Sequence, residues 1–190
     1  MIVCTKLPVF IISSPRTGST ALGQQIAEIN SLTYFIEPDY LDMCHRMNNF
    51  KSFAEANDSY VLKMHAKNLH KYPKFVLDKL KTNSTTIKIS RKSLFDQVVS
   101  YYIARKTDHW VRKRNETEKS YELEYDADFF LTSLTTIKYF NGAFDSLDVI
   151  FDLELTYEDL NLSNSLFEKT IYPNNYNRFV EQCMDTFKNL

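Results

Sequence analysis

Glycine is scarce in this chain. Only 3 of the 190 residues are glycine, where ordinary usage near ~7% would place about 13. There are 5 prolines, so flexible linkers and collagenous or low-complexity architectures are excluded. Cys4, Cys44 and Cys183 lie far apart without a CxxC, and their odd number excludes a complete disulfide framework. Long apolar runs are missing too. The longest near the N-terminus, Val9-Phe10-Ile11-Ile12, is too short for a secretion signal or a membrane span. No excess of one charge exists: the net charge is −1, which argues against a nucleic-acid partner or a polybasic membrane binder. The sequons at Asn57, Asn83, Asn115 and Asn161 carry little weight without secretion. The expectation is a soluble cytoplasmic protein.

Apolar and aromatic residues are plentiful. Hydrophobic residues make up 44% and aromatics 14%, with 14 Phe and 12 Tyr, enough for one core. The length predicts a single domain over residues 1–190.

Residues 8–13 form a short, continuous apolar run, the pattern of a strand buried on both faces. A helix is predicted from Ser19 to Asn30, where Ala21, Leu22, Ile26 and Ile29 have helical spacing. Another is predicted over 40–56, then strands over 60–65 and 84–90. Ser93 to Lys106 reads as an amphipathic helix and 112–124 as a surface loop. Asp126 to Leu147 reads as a long helix opened by Asp caps, 149–155 as a strand, and 176–187 as a closing helix. Alternating strands and helices predict an α/β three-layer sandwich with a mainly parallel sheet. Ligands of such sheets bind at the carboxyl ends of the strands. The unusual polar residues cluster there: Ser13 to Thr20, Lys63 to His65, and Ser90 to Lys92.

The first of these loops, Ser13-Ser14-Pro15-Arg16-Thr17-Gly18-Ser19-Thr20, has the makings of an anion cradle. Free N–H groups at a helix N-terminus, with the helix dipole, favour negative charge. Gly18 permits a turn that a Cβ would obstruct, Ser19 and Thr20 add hydroxyl donors, and Arg16 adds a fork suited to phosphate. The plainer reading is a Ser- or Thr-capped helix after an ordinary turn. A Walker A loop is excluded, since no Gly-x-x-x-x-Gly-Lys-Ser/Thr occurs and no lysine precedes Ser19.

Ser-Pro-Arg-Thr-Gly-Ser-Thr after a first strand resembles the 5′-phosphosulfate loop of sulfotransferases in its bacterial, arginine-containing version. Ile87 to Ser100 resembles the family's 3′-phosphate motif, a basic residue at a strand end with a serine about two turns into the next helix. Lys92 stands at the family's position relative to Ser100, with Arg91 one earlier, and both remain candidates. Ala104, Thr107 and Trp110 resemble the helix end and following tryptophan of trehalose-type members. Leu155 to Leu160 (Leu-Thr-Tyr-Glu-Asp-Leu) is similar to a strand-ending Tyr-Glu-Asp-Leu. After Gly142 the chain has no glycine, so the family's C-terminal glycine-rich closing segment is not recognisable.

The resemblance implies a P-loop-nucleotide-hydrolase-like fold and transfer of a sulfuryl group from 3′-phosphoadenosine 5′-phosphosulfate (PAPS), releasing adenosine 3′,5′-bisphosphate. The acceptor would be a hydroxyl or amine of a small molecule or glycan. Such chemistry rests on positioning and electrostatics, and no metal is implied. Pro15, Arg16, Thr17, Gly18, Ser19 and Thr20 would bind the 5′-phosphosulfate, and Arg91 or Lys92 with Ser100 the 3′-phosphate. Lys63 would steady the bridging oxygen. Two residues compete as general base. Glu37 follows the first helix where trehalose-type enzymes place a glutamate, while Lys63 and His65 match the Lys-x-His of cytosolic members. At i and i+2 on a strand, Lys63 and His65 face one side. Trp110 would wall the acceptor pocket or stack on the nucleotide, or simply pack. The basic cluster Arg105, Lys106 and 112–114 either steers an anion or forms a solvated mixed-charge face.

Two alternatives stand beside this reading. A nucleotide-dependent kinase of the P-loop type needs a Walker lysine, absent here, and a Mg²⁺-holding carboxylate, for which Asp152 or Asp159 would be a forced choice. A non-catalytic nucleotide-binding scaffold would keep a degenerate donor site. Oligomeric state leaves no signal in the sequence.

Overall fold

The run Val9–Ser13 becomes β1, and all five of its residues are buried. The computed structural model describes residues 4, 6–37, 43–110, 112–113, 121–160, 167–168 and 173–190. After β1 come α1 (Ser19–Asn30), β2 (Thr33–Ile36), α2 (Met43–Ala56), β3 (Tyr60–His65), a 3-10 segment (Ala66–Lys71), α3 (Lys74–Thr82) and β4 (Thr85–Ser90). The rest comprises α4 (Leu94–Thr107), β5 (Arg112–Lys113), α5 (Ala127–Gly142), β6 (Leu153–Thr156), β7 (Phe167–Glu168) and α6 (Tyr176–Lys188). The chain divides into two compact units. One comprises Met1–Lys92 and Phe140–Ser165, the other Ser93–Tyr139 and Leu166–Leu190.

The first unit is built on a five-stranded sheet of order β2-β3-β1-β4-β6, parallel throughout. Strand side chains alternate between faces, and the two faces bury different helices. Val9, Ile11, Val61, Ile87 and Ile89 pack with Leu22, Ile26 and Ala27 of α1. Phe10, Ile12, Tyr60, Leu62 and Met64 pack with Phe50 and Ala54 of α2 and Val76 and Leu80 of α3. Three layers result, as the alternation of elements predicts. Each such buried large side chain contributes roughly 1.5–3 kcal/mol.

Strand order reverses beside β1. The chain runs from β1 to β2 and β3 on one side, then to β4 and β6 on the other. A reversal of this kind opens a crevice at the carboxyl ends. The segments leaving β1 and β4, which hold Arg16 and Arg91, start there.

Several elements depart from the sequence expectation. β2 and α3 are additional: β2 is a four-residue edge strand, and α3 buries only Val76 and Leu80. β6 starts later than the predicted 149–155 because Asp152 engages the β4 backbone directly. Its carboxylate accepts from Thr86 N–H at 2.7 Å and Thr86 Oγ1 at 2.9 Å. Of the predicted loop 112–124, Arg112–Lys113 pairs with β7, while 111 and 114–120 lie outside the described residues.

The second unit packs α4, the first part of α5 and α6 around Val98, Tyr102, Phe130, Ile137, Phe179 and Cys183. Tyr102 anchors it at 0% exposure, its hydroxyl donating to Glu124 O at 3.1 Å and accepting from Asp126 N–H at 2.9 Å.

Candidate functional site

The segment between β1 and α1 turns through two left-handed residues, Arg16 (φ 64°) and Gly18 (φ 72°). Gly18 adopts that conformation without a Cβ penalty, but Arg16 is strained by roughly 1–2 kcal/mol. Strain of this kind persists where surrounding contacts over-determine it. Thr17 Oγ1 donates to Ser14 O at 3.0 Å and tightens the turn. Gly18 is itself the N-cap of α1 and no side chain caps the helix, so the Ser- or Thr-capped alternative is not what the structure has. The helix start therefore presents uncapped N–H groups.

Glu37, one residue beyond β2, also has a positive φ (40°). Its N–H donates to Lys63 O at 2.9 Å, extending the β2–β3 pairing by one step. That step delivers its carboxylate to Lys63 Nζ, with which it forms an ion pair, and to within 2.8 Å of His65 Nε2. Lys63 and His65 do share one side of β3, with Nζ and Nε2 3.3 Å apart. The lysine and histidine side chains are only 6% and 7% exposed. Burial lowers the Lys63 pKa to about 7, and the nearby Arg16 charge acts in the same direction. The His65 ring meets Phe140 edge-on at 5.2 Å, and Lys67 Nζ stands 4.4 Å over that same ring.

The two basic residues after β4 take different directions. Lys92 Nζ pairs with Asp159 Oδ1 at 2.8 Å on the surface, and the hydrogen bond to Asp159 raises its pKa. Arg91 is largely buried. Its Nη1 donates to Arg16 O at 3.3 Å, and its guanidinium lies 4.7 Å over the Tyr157 ring. Of the two candidates, Arg91 is thus the one that reaches the β1–α1 segment.

Arg16, Thr17, Gly18, Glu37, Lys63, His65 and Arg91 come together in the first unit. Pro15 and Ser19 are buried, and Thr20, partly buried, contributes its carbonyl as acceptor for Tyr34 Oη at 3.0 Å. Ser100 and Trp110 belong to the second unit. Ser100 is partly buried in α4. Trp110 meets Tyr101 edge-on at 5.7 Å and donates from Nε1 to Asp108 Oδ1 at 3.0 Å. Arg105 and Lys106 each lie 4.6 Å over Phe129. Asp152 is tied to Thr86, and Asp159 to Lys92 and Thr156.

The chain matches no known family model and no curated protein. Among the described residues, no group of three or more His, Cys, Asp or Glu could hold a metal ion, and no helix is long and apolar enough to cross a membrane.

Sequence reasoning missed two supports of this site. Tyr34, on β2, reaches back to the first turn of α1, and Tyr157 with Glu158 flanks Arg91. The Tyr-Glu-Asp-Leu segment was a visible signal for the latter, but nothing local links it to Arg91.

Proposed function

We propose that this protein is a sulfotransferase on a P-loop-nucleotide-hydrolase-like scaffold, using PAPS as donor and a hydroxyl or amine of a small molecule or glycan as acceptor. One observation carries the reading: at the carboxyl ends of parallel strands, an uncapped helix start and Arg16 adjoin a buried lysine that is paired with a carboxylate. Backbone N–H groups and a guanidinium bind an anionic ester. The lysine offsets charge on a leaving oxygen, and the carboxylate accepts a proton. The four segments that resemble sulfotransferases, in the same order along the chain, support the same chemistry.

The residues present fit such a donor. Ser13 Oγ, at the end of β1, is fully buried and has no hydrogen-bond partner among the described residues, which leaves it able to serve an anion. Arg16, Ser19, Thr20 and the backbone N–H groups around Gly18 would hold the 5′-phosphosulfate, and Arg91 the 3′-phosphate. When bound, the donor supplies a sulfuryl group on a phosphate leaving group, and transfer frees the acceptor proton. Glu37 takes that proton, with Lys63 and His65 holding its carboxylate in place. With a pKa near 7, Lys63 gains or loses its charge according to its neighbours, and an arriving dianion favours the charged form.

Thermal shift tests the reading. Adenosine 3′,5′-bisphosphate without metal should stabilise the protein, by about 2.7 kcal/mol at a hundredfold excess over Kd. A response only to ATP with Mg²⁺ would replace the proposal with a kinase. Bisphosphate binding with no sulfate transfer to any of a panel of glycans, lipids and phenols would make the protein a nucleotide-binding scaffold.

A further inference from the structure

We propose that Tyr157 and Glu158 are positioning residues that hold Arg91 against the β1–α1 segment and thereby set its anion-binding shape. This role rests on the reading of the site as anion-binding.

The parallel pairing of β4 with β6, which sets Ser90 opposite Thr156, brings the residues that follow each strand side by side. Glu158 then spans both basic positions. Its Oε2 accepts from Lys92 N–H at 3.0 Å, and its Oε1 lies 3.7 Å from Arg91 Nε. The second distance is an ion pair and too long for a hydrogen bond. Arg91 Nε is buried and has no hydrogen-bond partner among the described residues. The guanidinium is therefore oriented by the Glu158 charge and by the face of Tyr157, 4.7 Å away. So oriented, it directs Nη1 to the carbonyl of Arg16. That carbonyl belongs to the strained left-handed residue of the turn, a conformation that needs support from outside the turn. Asp159 meanwhile holds Lys92 on the surface. The adjacent carboxylates of the Tyr-Glu-Asp segment thus sort two adjacent cations, one inward and one outward.

The sign of a single substitution separates this role from simple electrostatics. Removing a negative charge near an anion site should tighten anion binding by Coulomb's law. Removing a positioning carboxylate should loosen it. Calorimetric titration with adenosine 3′,5′-bisphosphate in metal-free buffer reads the difference. Glu158→Gln, which keeps an oxygen for Lys92 N–H, is expected to weaken binding about tenfold, or about 1.4 kcal/mol. In an Arg91→Met background, Glu158→Gln should have no further effect, because the residue it positions is gone. A merely structural carboxylate would cost the same factor in both backgrounds. Tyr157→Leu, run through the same cycle, covers the case in which Glu158→Gln does not fold, and is expected to weaken binding about threefold. Unchanged or tighter binding by the single variants, or equal factors in the two backgrounds, overturns the role. Failure of the unmutated protein to bind the bisphosphate overturns the functional reading and takes this role with it.

Discussion

The Tyr34 hydroxyl occupies the space that a Cβ on residue 23 would need. An ideal Cβ there stands 2.5 Å from Tyr34 Oη and 2.6 Å from two ring carbons. The hydroxyl reaches past Gly23 to donate to Thr20 O at 3.0 Å, which ties β2 to the first turn of α1. Glu37 follows β2, so the same contact supports the carboxylate of the site.

Gly23→Ala is accordingly predicted to cost about 1–3 kcal/mol, as overpacking does. Gly142 is the contrasting case. Nothing lies within 4 Å of its added Cβ, and its φ is −64°. Gly142→Ala is predicted to stabilise by about 0.4–1 kcal/mol through the unfolded chain. Urea unfolding of the two variants should move the midpoint in opposite directions.

Lys63 gives stability a distinct pH dependence. Its pKa falls from 10.5 to about 7 on folding, first through burial. Between those values the unfolded chain binds the extra proton, so this group makes stability rise with pH there. Below about 7 the penalty for the buried charge is complete and constant. Wild type should gain about 1 kcal/mol per pH unit relative to Lys63→Met from roughly pH 7 upward. Urea titrations of both proteins at pH 6.5, 8 and 9.5 check this, and parallel pH curves would refute it.

Glu37→Gln should separate binding from chemistry. The amide cannot take a proton, and loss of a general base costs about 10²–10⁴-fold in turnover. Bisphosphate affinity should change by less than about threefold, because the Gln side chain keeps its contacts with Lys63 and His65. His65→Ala run beside it assigns the base: a His65 variant with the larger loss would transfer the role to the histidine.

Asp152 has a structural task at the start of β6. Hydrogen bonding to the Thr86 N–H is the main cause that lowers its pKa. Asp152→Ala strands that buried donor, and is predicted to cost about 1–3 kcal/mol while leaving bisphosphate affinity unchanged. The carboxylate's contribution to stability is present above its ordinary pKa and lost as pH falls through the lowered one. Calorimetric binding together with thermal unfolding measures both quantities.

Much of this fold was legible because much of it is local. A run of four apolar residues marks β1, and period-two placement puts Lys63 and His65 on one side of β3. β2 leaves no sequence pattern for a physical reason: Thr33–Ile36 is a half-exposed edge strand of four residues, too short and too mixed. α3 is hidden for a similar reason, since only Val76 and Leu80 of its nine residues are fully buried. The apolar Val149 and Phe151 predict a strand from 149 onward, yet they pack beside the sheet without joining its ladder.

The sequence by itself determined the α/β class, the parallel sheet and the one turn where a scarce glycine precedes a helix. Those follow from burial patterns and backbone freedom, which act over a few residues. The tertiary structure decided which of the polar strand ends meet. Glu37 faces Lys63 because β2 adds to the free edge of β3, and Arg91 supports Arg16, 75 residues away, because β4 pairs with β1. Strand order is settled by burying both faces of the whole sheet at once, and no stretch of a few residues carries that information.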